Sequence, residues 1–265
     1  MALPTFFIIG AAKAGTTSLH YYLEQHPQIQ MSANKEPNFF SGPENGVPYP
    51  MGRVDTLDTY ESLFDPAFSV RGEASVSYAN HPRRQGVPER IEEAVPDGRF
   101  IYLVRDPIAR VLSHYQHRVA WMGERRPLNE VLGDLSNPYD VCLCPGFYAR
   151  QLELYLRVFR AERTMVIDQA ELLADRQAVL REVFSFLLVD REFTSEAFGE
   201  EFLKSQQRRV YSPRYARFTE TLTVRGPLRL VPRGVRRSLR GSVERMLLPA
   251  LETSELDKEL RSRLE

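Results

Sequence analysis

"FFIIGAAKAGTTSLHYYLEQHP", residues 6–27, decides the fold. The apolar run Phe6 to Ile9 ends in glycine and suits a buried parallel strand. Thr16, Thr17 or Ser18 then opens a helix with Leu19, Tyr22 and Leu23 on one face and Pro27 as its stop. Between them, Gly10 and Gly15 keep the G-x-x-x-x-G spacing of a nucleotide-triphosphate loop, which carries its lysine directly after the second glycine. Here Thr16 stands at that place and the only lysine, Lys13, lies inside the loop. A strand-to-helix turn of small residues offers free backbone N–H groups and the positive end of a helix dipole to an anion. The candidate phosphate-binding set is therefore Ala12, Lys13, Ala14, Gly15, Thr16, Thr17 and Ser18.

Working outward, "RFIYLVRDP" (residues 99–107) is the clearest further strand, ending at Arg105, with Asp106 as cap and Pro107 in the first turn of the next helix. That helix is expected to pass Ser113 and His117 toward Trp121. Triphosphate enzymes share Mg²⁺ with a carboxylate at a second strand tip. An arginine at that tip recruits a second anion instead, although Asp106 leaves a metal open. The pattern fits a nucleotide with phosphates at two separated places.

"FSVRGEASVSY" (68–78) and "TMVID" (164–168) read as extended, and "GFYARQLELYLRVF" as a helix. Apolar residues at 179, 180, 183, 184, 187 and 188 mark an amphipathic helix. Alternating strands and helices give an α/β fold of P-loop-like type, three layers with a central parallel sheet flanked by helices. One domain over residues 1–265 is expected, with a basic, less regular segment at 204–265. Residues 204–240 hold eleven Lys or Arg against one acid, Glu220, and three prolines. That segment is either a solvated face or an anion-binding rim, with peripheral membrane contact open.

With 35 basic and 35 acidic residues the formal net charge is zero, which gives no general argument for nucleic acid. No apolar run reaches the roughly 18 residues that span a bilayer. The first apolar run lacks a basic residue ahead of it, so a cytoplasmic location is expected rather than export. Cys142 and Cys144 stand too close in sequence for an ordinary disulfide and lack partners for a zinc site, so no metal is assigned.

Four motifs in order carry a family resemblance. "FFIIGAAKAGTTSL" resembles the 5′-phosphosulfate loop of sulfotransferases that use 3′-phosphoadenosine 5′-phosphosulfate (PAPS) and release 3′-phosphoadenosine 5′-phosphate (PAP). "RFIYLVRDPIARVLSHYQH" resembles their 3′-phosphate motif, a strand-end arginine followed eight residues later by a helix serine, here Arg105 and Ser113. "KEPNFFS" (35–41), "RGEASVSY" and "GFYARQLELYL…EVFSFL" follow in the family's order, over roughly residues 5–215. The resemblance is strongest to the heparan-sulfate type and its bacterial relatives. It implies sulfuryl transfer from PAPS to a hydroxyl or amine of a carbohydrate, lipid or small-molecule acceptor. It makes Lys13 the group at the leaving phosphate, Glu36 the general base and His117 a second candidate for proton transfer. Arg105 and Ser113 would take the 3′-phosphate, and a late loop would add Ser205 and Arg208.

Departures are visible. Gln206 and Gln207 stand where lysine and glycine are expected, Ala74 where glycosaminoglycan-modifying members often carry a base, and the late cysteine pair is missing. The last residues, "ELRSRLE", break off inside an apparent helix. A kinase with a degenerate loop and a non-catalytic nucleotide- or polyanion-binding module remain the alternatives.

Overall fold

The computed structural model describes residues 2–42 and 53–199, with 258, 261 and 262. Its sheet has five parallel strands: β1 (Phe6–Gly10), β2 (Ile29–Met31), β3 (Val70–Ala74), β4 (Arg99–Val104) and β5 (Thr164–Asp168). The spatial order is β2-β3-β1-β4-β5. Phe6, Phe7, Ile8 and Ile9 are wholly buried, which is why a central parallel strand reads as an unbroken apolar run. Phe7 stacks on Phe100 of β4 with ring centroids 5.6 Å apart, and Phe40 and Tyr78 extend the aromatic core.

Helices flank the sheet, and in chain order the helices of the chain are α1 (Thr16–Leu23), α2 (Leu57–Glu61), α3 (Val87–Ala94), α4 (Pro107–His117), α5 (Leu128–Val131), α6 (Tyr148–Leu156), α7 (Gln169–Ala174) and α8 (Arg176–Leu187). From β1 the chain moves through β2 and β3 to one side, then crosses to β4 and β5 on the other. The C-terminal ends of β1 and β4 therefore flank a topological switch point, the place where open α/β sheets bind ligands.

Two compact units are distinguished. The first holds residues 2–42, 53–111 and 134–199 and contains the entire sheet. The second holds 112–133 with 258, 261 and 262. Within it, Glu124 accepts from Arg118 and Arg126 at 3.1 and 2.8 Å, which holds its carboxyl well below the usual carboxylate range. The Tyr115 hydroxyl donates to the Arg126 carbonyl at 2.7 Å.

Two local expectations are corrected. Extended backbone stops at Ala74, and a 3-10 turn follows at Val76–Ala79. The helix after Arg105 does pass Ser113 and His117 toward Trp121, α-helical to His117 and then a π turn, Arg118–Met122. Leu188 does not extend the apolar stripe of α8: it caps the helix in the left-handed region at φ 61° and is 74% exposed. Cys142 and Cys144 are buried free thiols, and burial pushes Cys144 up to about 11.

At its other end α8 is capped by Asp175, whose Oδ1 accepts from Ala178 N at 2.9 Å. Asp175→Ala is expected to cost about 1 kcal/mol, read as a fall of about 3 °C in thermal unfolding.

Candidate active site

The glycine loop is tied to the sheet before it turns. Pairing between β1 and β4 shifts register between Ile8 and Gly10, and Ala11 N–H donates to the Leu103 carbonyl at 2.8 Å. Ala14 N–H donates back to Ala11 O at 3.1 Å, so the Ala14 methyl lies buried beneath a tight turn. Gly15 then caps α1 at φ 101°, a conformation that favours glycine. The start of α1 has no side-chain cap and no acid in its first turn, which leaves the helix end to an anion. Ala12, Lys13, Gly15, Thr17 and Ser18 are half-buried around it, while Thr16 is buried.

Arg105 stands at the tip of β4, the next strand. Its Nη1 donates to the Lys13 carbonyl at 3.1 Å, which joins the two motifs directly. The Tyr148 hydroxyl clamps the same strand tip, donating to Arg105 O at 2.7 Å and accepting from Arg105 N at 3.3 Å. Burial lowers the pKa of the Arg105 guanidinium, opposed by the nearby Tyr148 and Asp106. No carboxylate pairs with Arg105 among the described residues, so a structural ion pair does not account for it. Asp106 instead caps α4, its Oδ1 accepting from Ala109 N at 2.7 Å.

Glu36 lies off the end of β3, the strand on the other side of β1. Its N–H donates to Ala74 O at 3.0 Å, and its carboxylate pairs with Lys35 Nζ at 2.8 Å. Four non-glycine residues among those described have positive φ: Lys13 (72°), Glu36 (63°), Asn38 (54°) and the helix cap Leu188. Three of the four thus belong to two loops leaving the C-terminal edge of the sheet. Non-glycine residues held in the left-handed region cost energy and concentrate at functional sites.

His20, which sequence reasoning passed over, is buried on α1. Burial, with the Lys35 cation second, lowers its pKa to about 4, so it is neutral near pH 7. Arg110 was also passed over. It is fully buried, and its guanidinium donates to the Cys142 carbonyl.

Ser113 and His117 belong to the second unit, on the C-terminal part of α4; Ser113 is buried and His117 half-buried. Their four-residue spacing puts them one turn apart on a common helix face. Ser205 and Arg208 lie outside the described residues. Among the described residues no group of three or more His, Cys, Asp or Glu is placed to hold a metal, and no helix is long and apolar enough to cross a membrane.

Comparison with known proteins finds similarity to sulfotransferases. The family model described as "Sulfotransferase domain" matches residues 3–213. The chain is 31% identical over 209 residues to the mouse (Mus musculus) bifunctional heparan sulfate N-deacetylase/N-sulfotransferase 4, covering 74% of this chain but 23% of that protein. It is 34% identical over 123 residues to the membrane-associated sulfotransferase kil1 of Dictyostelium discoideum, covering 46% of this chain and 24% of that protein. The chain therefore spans about a quarter of the length of these curated relatives. Among solved structures, a sulfotransferase from Alicyclobacillus acidocaldarius superposes with a TM-score of 0.68 at 32% identity, over 78% of this chain and 89% of that one. Mouse sulfotransferase SULT7A1, solved with PAP, shares the fold at TM-score 0.51 and 15% identity, over 91% of this chain and 88% of that one.

Proposed function

The chain belongs to the sulfotransferase domain family, and from that premise we propose that it transfers a sulfuryl group from PAPS to a hydroxyl or amine of a carbohydrate acceptor. The observation that carries the reading is the bond from Arg105 to the Lys13 carbonyl. It holds an arginine that forms no carboxylate ion pair among the described residues beside a small-residue loop at a helix N-terminus. Two anion-recognition elements side by side suit a nucleotide bearing both 5′ and 3′ phosphates.

PAPS supplies an activated sulfuryl group on a phosphate that leaves as PAP. The loop amides and the hydroxyls of Thr17 and Ser18 bind the 5′ side at the helix N-terminus. Lys13 brings its ammonium to the leaving phosphate as negative charge develops there. Arg105 presents its planar fork to the 3′-phosphate, with Tyr148 fixing the strand tip behind it. Glu36 takes the acceptor's proton, and Lys35 orients its carboxylate. Ser113 and His117 keep the roles that the family resemblance implies, 3′-phosphate binding and proton transfer, and Ser205 and Arg208 would join the 3′-phosphate side.

Leu135, Ser136, Pro138, Phe147, Tyr148 and Arg150 line an open groove of about 560 Å³ within the first unit. Tyr148 links that groove to the Arg105 tip, so it is the candidate acceptor side. Phe147 is exposed there (Tyr139 and, in the second unit, Trp121 are exposed too), which suits aromatic stacking on sugar faces better than core packing. A carbohydrate is favoured because the relatives named above include heparan sulfate N-sulfotransferases.

Thermal unfolding with PAP, ADP, and ATP with and without Mg²⁺ tests the donor assignment. PAP at about a hundred times its dissociation constant should add roughly 2.7 kcal/mol, a rise of about 5–10 °C. Arg105→Ala should abolish it. A rise with Mg²⁺-ATP alone would replace this reading with a kinase.

A further inference from the structure

The segment carrying Glu36 is held by alternate amides. Glu36 N–H donates to Ala74 O at 3.0 Å, Asn38 N–H to Ser75 Oγ at 3.1 Å and Phe40 N–H to Tyr78 Oη at 3.1 Å. The Ser77 hydroxyl adds a bond to Asn38 Oδ1 at 2.5 Å. Two of the three amide acceptors are hydroxyls, and each hydroxyl that accepts an N–H keeps one proton to donate. Ser75 and Tyr78 therefore need an acceptor inside the protein.

Glu73 of β3 is the group that faces them. Its side chain is wholly buried, and the hydroxyls of Tyr78, Tyr60 and Ser75 surround the carboxyl. Neither carboxyl oxygen completes a hydrogen bond of good geometry, and no cation among the described residues acts on it. An ionised carboxylate there would be a buried, unpaired charge. Burial accordingly pushes its pKa up to about 8, with the three hydroxyls pulling the other way. The titratable groups facing it are Tyr60 from α2, Tyr78 from the 3-10 turn and Tyr155 from α6, all raised by burial and uncharged near neutral pH.

We propose that Glu73 is a positioning residue: its carboxyl receives the Ser75 and Tyr78 hydroxyl protons, and through those hydroxyls fixes residues 36–40 so that Glu36 is presented at the sheet edge. The inference rests on the reading of Glu36 as the base. Held in its acid form, Glu73 both accepts from these hydroxyls and offers a proton to Tyr60. Ionisation would leave the two amide acceptors in place but bury a charge beneath them, so the arrangement weakens as pH rises.

The sign of the pH effect follows from linkage. The folded-state pKa is raised from an ordinary 4.5 to about 8, so the folded protein keeps a proton that the unfolded chain releases. Stability from this group is full below about pH 4.5 and is lost as pH rises to about 8.

The test compares Glu73→Gln, Glu73→Leu and wild type by amide hydrogen exchange, melting temperature against pH, and PAP formation from PAPS with a glucosaminyl oligosaccharide. Glu73→Gln is expected to keep wild-type exchange at residues 36–40. It should also remove part of the fall in melting temperature between pH 4.5 and 8. Glu73→Leu is expected to speed exchange at Glu36, Asn38 and Phe40 by tenfold or more while leaving α8 unchanged. Its kcat should fall by at least tenfold, with PAP binding retained. Unchanged exchange at those three amides overturns the proposal. Faster exchange with unchanged kcat keeps Glu73 as the anchor of the segment and removes Glu36 as the base. If Glu73→Leu does not fold, Tyr78→Phe substitutes for it: Phe40 exchange must rise, and a wild-type rate there overturns the proposal.

Discussion

Lys13→Asn is expected to lower the rate of sulfuryl transfer by about 10²–10³-fold, the usual cost of removing one donor aimed at developing transition-state charge. Asparagine is the informative replacement because Lys13 lies at φ 72°, a region asparagine tolerates better than alanine does. The ammonium is removed while the backbone of the loop, including the carbonyl that accepts from Arg105, is left as it stands. PAP-induced stabilisation should accordingly persist, since the loop amides and Arg105 remain. The measurement is PAP formed from PAPS under saturating donor, which isolates kcat. A loss below tenfold would make Lys13 a loop residue whose charge takes no part in departure of the phosphate.

Gly72→Ala should be the most damaging small substitution in the sheet. Gly72 pairs with Phe6 in the β1–β3 register, and a Cβ added to it would overlap the Phe6 ring. Phe6 is wholly buried in the aromatic core, so the ring has nowhere to move without displacing its neighbours. A destabilisation of about 3 kcal/mol is expected, at the upper end of ordinary overpacking. For a chain of this size that lowers the melting temperature by about 6–12 °C. The companion Phe6→Leu, harmful alone, should recover part of the loss when combined with Gly72→Ala, because the two side chains contend for one space. Simple additivity of the two losses would place the damage elsewhere.

How far the fold was legible depends on how each residue is placed. β1, β4 and the α1 and α8 helices were readable because burial on both faces, or on one stripe, writes directly into apolar spacing. β2 is only three residues long, Ile29–Met31, and at that length alternation carries no signal. Gln30 on it is fixed by side-chain bonds to Met31 O and Leu63 O, which no periodicity announces. α3 begins with a left-handed Gly86 and Pro88, residues that read as a loop until the helix behind them is seen.

In the site, residue types and order pointed to Lys13 and Arg105, because strand-loop-helix chemistry is local. Glu36 came only through the family resemblance, since a glutamate before a proline in a loop otherwise reads as solvated surface. Backbone conformation was not legible: nothing in "KEPN" states that Glu36 and Asn38 turn left-handed. Glu73 was hidden for the opposite reason. A glutamate within an extended "RGEAS" reads as the solvent-facing member of a strand, and only the packing of Tyr60 and Tyr78 over it reveals a carboxyl inside the core. Tyr148 was seen as part of a helix, yet its hydroxyl reaches back 43 positions to the Arg105 tip.

The strand order has a consequence for synthesis. β1 leaves the ribosome first, but both its neighbours are made later, at Val70–Ala74 and Arg99–Val104. Until then the nascent chain carries an apolar FFII segment with no sheet to join, a sequence of the kind that associates with other chains. The glycine loop is translated early too, yet Ala11 cannot be anchored before Leu103 exists. Donor nucleotide therefore cannot rescue the earliest intermediates. Their protection must come from chaperones that recognise apolar chain, and expression yield should respond to chaperone supply before it responds to ligand.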